Sequence, residues 1–154
     1  MSFHIVLVEP EIPANTGNIA RTCAATGTVL HLVRPLGFAT DDKTLKRAGL
    51  DYWHSVDVRY YDSFGELTNA LAGRRFYYAT TKASKLYTDF AYKDEDVLVF
   101  GKETKGLPPE IIEPNRETCI RMPMTDAVRS LNLSNSAAIV LFEALRQNDF
   151  LGLR

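Results

Sequence analysis

Short aliphatic and β-branched runs recur along the chain at 3–8 (Phe-His-Ile-Val-Leu-Val), 29–33, 58–61, 75–80, 96–100 and 118–122, and each predicts a strand. The stretches between them change period. Gly17 to Thr26 is small and apolar, is preceded by the capping side chains of Asn15 and Thr16, and is stopped by Gly27, which predicts a helix. Residues 41–49, rich in lysine and closed by Gly49, predict a second, basic helix. Ser63 and Glu66 have capping-box spacing ahead of Leu67, Ala70 and Leu71, and Gly73 ends that helix. Residues 134–147 form a strongly apolar final helix. Strands alternating with helices predict an α/β fold: a mostly parallel sheet with helices on both faces, built as a single domain over 1–154. In such sheets ligands bind beyond the C-terminal ends of the strands, so the loops that follow strands are the places to search.

Composition narrows the class. With 45% apolar and 24% charged residues in 154, the chain has the make-up of an ordinary globular domain, neither disordered nor fibrous. The opening apolar run lacks a basic leader and is broken by Glu9 and Pro10, and no run is long enough to span a bilayer, so no membrane association is expected. Cys23 and Cys119 are far apart in patterned segments and read as buried free thiols, which fits a cytoplasmic protein. His4, His31 and His54 lack metal-ligand spacing; His4 and His31 fall on strands and read as core or edge residues, and no metal is expected. A net charge of −1 provides no global attraction for a phosphate backbone. Any such attraction must come from small groups: Lys43, Lys46 and Arg47; Arg74 and Arg75; Lys82 and Lys85; Lys102 and Lys105; Arg121 and Arg129. Groups of this kind are ordinarily solvated faces.

Three strand-following loops are unusual: 9–17, 101–109 and 123–135. The segment from Gly101 to Pro109 has the glycine spacing of a phosphate loop, but Leu107 stands where that motif requires lysine, which disfavours a nucleoside-triphosphate site. No Gly-x-Gly occurs, so the dinucleotide fingerprint is absent too. The plain reading is a glycine turn before a proline-started helix. The segment from Pro123 to Ser136 carries more hydroxyls and amides than a connection needs; Ser134 or Asn132 as a helix cap accounts for one, and the surplus points to a ligand. Arg21 lies in the first turns of its helix, where the dipole prefers acids, and on spacing alone it is a surface arginine. No Gly-x-Ser-x-Gly elbow occurs, neither cysteine has a nucleophile's context, and Tyr60, Tyr61, Tyr77 and Tyr78 read as sheet residues rather than base-stacking platforms.

Three segments together carry a more specific signal: Asn15-Thr16-Gly17-Asn18-Ile19-Ala20-Arg21, Phe100-Gly101-Lys102-Glu103-Thr104-Lys105-Gly106-Leu107-Pro108, and Arg129-Ser130-Leu131-Asn132-Leu133-Ser134-Asn135-Ser136. In order and spacing they resemble the three motifs of the SPOUT RNA methyltransferases. Glu9-Pro10-Glu11-Ile12-Pro13, Arg47-Ala48-Gly49-Leu50-Asp51-Tyr52 and Thr80-Thr81-Lys82 extend the likeness to the members that act on the tRNA wobble nucleotide. Lys102 departs from the proline common there. The resemblance implies a C-terminal deep trefoil knot, a homodimer, S-adenosyl-L-methionine as cofactor, and 2′-O-methylation of the ribose of cytidine or uridine 34 in the tRNA anticodon stem-loop, in leucine isoacceptors. It further implies catalytic roles for Arg21, Asn15, Ser130, Asn132 and Glu103, and cofactor contacts from Ala79, Thr80, Gly101, Glu103, Gly106, Met122, Ser130 and Leu131. The competing readings are a non-catalytic RNA-binding or assembly module and methylation of another RNA.

Overall fold

The middle of the sheet is β1 (His4–Val8), buried at every position. A computed structural model describes residues 2–40, 43, 45, 47 and 52–154. Around β1 lie β2 (Val29–Val33), β3 (Val58–Tyr61), β4 (Phe76–Ala79), β5 (Val97–Phe100) and β6 (Cys119–Ile120), in a six-stranded sheet ordered β3-β2-β1-β5-β4-β6. Every pairing between these strands is parallel. The expected alternation therefore holds. The basic helix expected over 41–49, with most of the 47–52 motif, lies largely outside the described residues.

Strand alternation sorts the core by residue type. Ile5, Leu7, Leu30, Leu32, Leu98 and Phe100 face α1 (Pro13–Thr26) and α4 (Leu133–Gln147), packing on Ile19, Ala20, Val140 and Leu141. Val6, Val8, Val33, Val97 and Val99 face α2 (Phe64–Ala70) and α3 (Pro109–Ile112), packing on Leu67, Ile111 and Ile112. Both cysteines are buried and free, and the four tyrosines are sheet residues, as read from the pattern.

Two boundaries differ from the sequence reading, and two caps agree with it. Helix α1 starts four residues earlier than Gly17, at Pro13, because proline's fixed φ suits the first helical position. Asn15 and Thr16 are thus inside the helix rather than capping it, and Ile12, the capping residue, has no side-chain acceptor to offer. Strand β6 is two residues long, since Arg121 leaves β4 and pairs with Lys85 and Tyr87 through backbone hydrogen bonds instead. At α4, Asn132 is the cap, its side chain accepting from the Asn135 N–H at 3.1 Å. At α2, Ser63 Oγ accepts from Glu66 N–H at 3.1 Å, as its spacing predicted.

One polar chain runs through the valine side of the sheet. His4 Nε2 meets Glu95 Oε1 at 3.1 Å, His4 Nδ1 meets His31 Nε2 at 2.9 Å, and His31 Nδ1 meets the Tyr61 hydroxyl at 2.9 Å. A carboxylate only accepts, so His4 donates from Nε2 and its Nδ1 accepts from His31, whose Nδ1 accepts from Tyr61. This pattern satisfies every member with both imidazoles neutral. Burial pushes His31 down to about 3 and lowers His4.

The strand order also locates the site. The chain adds β2 and β3 on one side of β1 and β4 to β6 on the other, so β1 and β5 meet at the point where the winding reverses.

Candidate active site

Beyond the C-terminal end of β5 the chain folds back on itself at Gly101 and Gly106. A Cβ on Gly101 would stand 2.1 Å from the Gly106 carbonyl carbon, so only glycine fits there, and Gly106 has φ +67°, which glycine adopts without strain. A backbone hydrogen bond from Gly106 N–H to Lys102 C=O, 2.8 Å, closes the loop. This geometry places the Glu103 carboxylate over the start of α1, where it accepts from Glu11 N–H (2.8 Å), Ile12 N–H (2.9 Å) and Asn15 Nδ2 (3.1 Å). Glu103 therefore supplies the capping that Ile12 cannot, and places negative charge where the helix dipole favours it.

The same contact runs in reverse. Glu11 Oε1 accepts from Thr104 N–H at 3.0 Å and from Thr104 Oγ1 at 2.8 Å, and these bonds hold the Glu11 carboxyl below its ordinary value. Asn15, fixed by donating to Glu103, turns its Oδ1 outward to accept from Asn132 Nδ2 at 3.1 Å. Asn132 Oδ1 then accepts from Asn135 N–H and from Ser134 Oγ, at 3.1 and 2.6 Å. A single directed chain of hydrogen bonds thus ties the start of α4 to the start of α1 and on to the glycine loop. The orientation of both amides follows from the acceptor-only carboxylate at its end.

These elements enclose a cavity of about 460 Å³ over the ends of β4, β5 and β6, in the size range of small-molecule sites. Phe100, Leu107, Ile112, Met122 and Leu133 supply apolar wall. Residues 122–131, the wall nearest α4, lie in no helix or strand; Ala127 N–H donates to Thr125 Oγ1 at 3.3 Å, and most of the other backbone groups there have no protein partner among the described residues. Lys82, Lys105, Arg121 and Arg129 also line the cavity, and none of them forms an ion pair among the described residues.

All eight positions read from the sequence as cofactor contacts (Ala79, Thr80, Gly101, Glu103, Gly106, Met122, Ser130 and Leu131) lie on this one cavity, with Asn15 and Asn132. Arg21 does not. It stands on the exposed flank of α1 with its guanidinium 4.7 Å from the centre of the Tyr52 ring. Lys102, which replaces the common proline, brings its ammonium to 3.5 Å from Glu9, a residue turned into the left-handed region at φ 54° directly after β1. Sequence reasoning gave Glu11, Thr104, Ile12 and Leu133 no role. For Glu11 the local signals were its position two residues before the proline that starts the helix and its place in the Glu9–Pro13 segment. Among the described residues no group of histidine, cysteine or carboxylate side chains could hold a metal ion.

Comparison with known proteins gives the arrangement a context. A protein of Methylovorus glucosotrophus (strain SIP3-4) named tRNA (cytidine(34)-2'-O)-methyltransferase is 54% identical over 151 residues, covering 97% of this chain and 98% of that one. A solved structure described as "Structural insights into the 2-OH methylation of C/U34 on tRNA" superposes with a TM-score of 0.92 at 44% identity, over 96% of this chain and 97% of the other. An AdoMet-bound rRNA methyltransferase from Sinorhizobium meliloti superposes with a TM-score of 0.81 at 28% identity, over 94% of this chain and 56% of that one. The SpoU rRNA Methylase profile matches residues 2–142, a span that takes in both the glycine loop and the amide chain, and the chain therefore belongs to the SpoU methylase family.

Proposed function

We propose that the chain transfers a methyl group from S-adenosyl-L-methionine to the ribose 2′-hydroxyl of the wobble nucleotide, cytidine or uridine 34, of tRNA, with leucine isoacceptors as substrates. The observation that carries this reading is the cavity itself. It combines apolar wall suited to a nucleoside base, a stretch at 122–131 most of whose backbone groups have no protein partner, a glycine turn that lets backbone approach closely, and unpaired cations at its edge. The names of the Methylovorus relative and of the tRNA-related structure support the substrate, and the AdoMet-bound Sinorhizobium structure supports the donor.

The donor supplies a methyl carbon on a sulfonium, open to in-line attack. The chain's own task is to hold that carbon and the ribose oxygen in near-attack geometry and to lower the cost of charge on the oxygen. Gly101, Gly106, Met122 and Leu131, which line the cavity, would hold the donor, and the Glu103–Asn15–Asn132 chain ties the loops together. Arg21 cannot be the base; it stabilises the developing alkoxide while the hydroxyl proton passes to a phosphate oxygen of the RNA, and the methyl–sulfur bond breaks to leave a neutral thioether. Lys82, Lys105, Arg121 and Arg129 offer attraction to the RNA backbone that the net charge of −1 does not.

The same reading includes a homodimer. Ile139 and Phe142 on the outer face of α4 are 38% and 45% exposed, with Val128 and Leu131 near the cavity also exposed, an apolar surface that a second copy would cover. Arg21 lies outside the cavity of its own chain, so a second copy brings it to the hydroxyl.

Incubating the protein with total tRNA and labelled donor, then mapping the modified nucleoside by mass spectrometry, tests donor, atom and position together. The expected product is 2′-O-methylcytidine or 2′-O-methyluridine at position 34, and Arg21→Ala lowers the rate by about 1,000-fold with donor affinity unchanged. Mixing Arg21→Ala with Gly101→Ala chains restores activity if each site draws Arg21 from its neighbour. RNA binding without donor binding would favour the assembly module, and label in ribosomal RNA would shift the substrate.

A further inference from the structure

The clasp between the loops after β1 and β5 uses two carboxylates in opposite directions. Glu103 belongs to a motif segment already discussed; Glu11 is given no role by that motif. Yet Glu11 makes the return half of the exchange: one oxygen accepts two hydrogen bonds from Thr104, backbone at 3.0 Å and hydroxyl at 2.8 Å, while its own N–H donates to Glu103 at 2.8 Å. The result is a closed ring of hydrogen bonds between residue 11 and residues 103–104.

The two sides of that ring are unequally supported. Glu11 sits on a stiff base, since its neighbours are tied to the sheet and to the next loop by Glu9 N–H to Val33 C=O and Gly37 N–H to Pro10 C=O, both 2.9 Å. Thr104 and Lys105, in contrast, are exposed at the tip of a loop closed internally by the pairing of Gly106 with Lys102. That loop is one wall of the cavity. We infer that Glu11 is a positioning residue which, through Thr104, holds the 101–107 wall at the separation the methyl donor requires; this rests on the function proposed above. The carboxylate does not line the cavity, so its effect falls on donor affinity and leaves the rate at saturating donor nearly alone.

The hydrogen-bond types set the order of variants. Glu11→Ala removes both bonds. Thr104→Val removes the hydroxyl bond and keeps the backbone one. Glu11→Gln keeps an acceptor oxygen for both donors of Thr104 and so restores the wall.

Donor affinity measured by calorimetry, the split between KM for donor and kcat, and hydrogen exchange of the 103–106 amides without donor form the test. For Glu11→Ala the expected result is about a tenfold weaker donor Kd, kcat within about twofold, and faster exchange at 103–106. Thr104→Val should fall between that variant and wild type, and Glu11→Gln should bind within about threefold of wild type. Wild-type protein that binds no donor overturns the function and the inference with it. Wild-type binding with Glu11→Ala unchanged, or kcat falling as far as affinity, overturns the inference alone. Should Glu11→Ala not fold, Thr104→Val decides by the same readings, with unchanged affinity and exchange counting against the latch.

Discussion

Two hydrogen-bonded networks span this molecule, one joining four segments distant in sequence and the other three, and the second of them faces the cavity. Glu95, His4, His31 and Tyr61 cross the valine side of the sheet from the start of β1 to the end of β3, sealed from solvent except at Glu95. Glu103, Asn15 and Asn132 bridge the loops beyond the opposite ends of the strands. In the first network both imidazoles are used at both nitrogens, and Glu95 at its end also accepts from Arg74 and from Ser2 N–H. In the second the carboxylate fixes two amides, while unpaired cations and a stretch of backbone outside any helix or strand stand beside about 460 Å³ of space. A polar cluster becomes a site when hydrogen-bonding capacity remains and there is room for a ligand to use it. The histidine chain, by this measure, is framework.

The two networks should therefore fail in opposite ways, and the largest effect belongs to the framework. His31→Ala removes a ring that is fully buried, together with the hydrogen bonds it makes to Tyr61 Oη and His4 Nδ1. The expected cost is about 3 kcal/mol of stability, a fall in Tm of about 6–12 °C in a domain of this size, with donor affinity at 20 °C unchanged in the folded fraction. Scanning calorimetry and donor titration check it together. A variant that lost donor affinity along with stability would break the division drawn above.

Gly101→Ala should do the reverse. Its methyl group would occupy the position of the Gly106 backbone, so the loop has to open. Donor affinity is expected to fall by about 100-fold, equivalent to about 2.7 kcal/mol, with Tm lowered by about 3 °C or less because the displaced segment is at the surface. Titration calorimetry beside a melting curve reads both numbers. A large loss of Tm with affinity retained would mean that the loop serves the fold rather than the site.

This division also explains what could be read in advance. Every strand was visible, because parallel strands buried on both faces are written as unbroken aliphatic runs such as Ile5-Val6-Leu7-Val8 and Val97-Leu98-Val99-Phe100. The glycine turn was visible too, since the close approach at Gly101 admits no other residue. The start of α1 was not. Its capping comes from Glu103, 91 residues away from Ile12, and no local pattern encodes an acceptor supplied from that distance. The same holds for the Glu95–His4–His31–Tyr61 chain: each histidine read correctly as a strand residue, but their contact depends on strand register. The course of the chain from β6 back across the strand ends to α4 is likewise a matter of topology, to which periodicity is blind.

The smallest expected effect is a pH dependence confined to the framework. An unfolded His31 takes up a proton as pH falls through about 6.5, whereas burial holds the folded imidazole neutral down to about 3. Below 6.5 the unfolded chain thus binds more protons than the folded one, so stability is complete above that pH and declines as acid is added. His4 is lowered as well, first by burial and against the opposing pull of Glu95; Arg74 and Arg59 oppose its charging, and Asp57 favours that of His31. For His31 alone the loss by pH 5.5 is on the order of 1 kcal/mol. The clasp titrates lower, because Thr104 keeps the Glu11 carboxyl below its ordinary value of 4.5. Denaturant unfolding between pH 7.5 and 5.5 should accordingly show falling stability while donor affinity stays level. Stability that is flat across this window would mean that the two imidazoles accept protons in the folded sheet, and the sealed, fully spent network described here could not then exist.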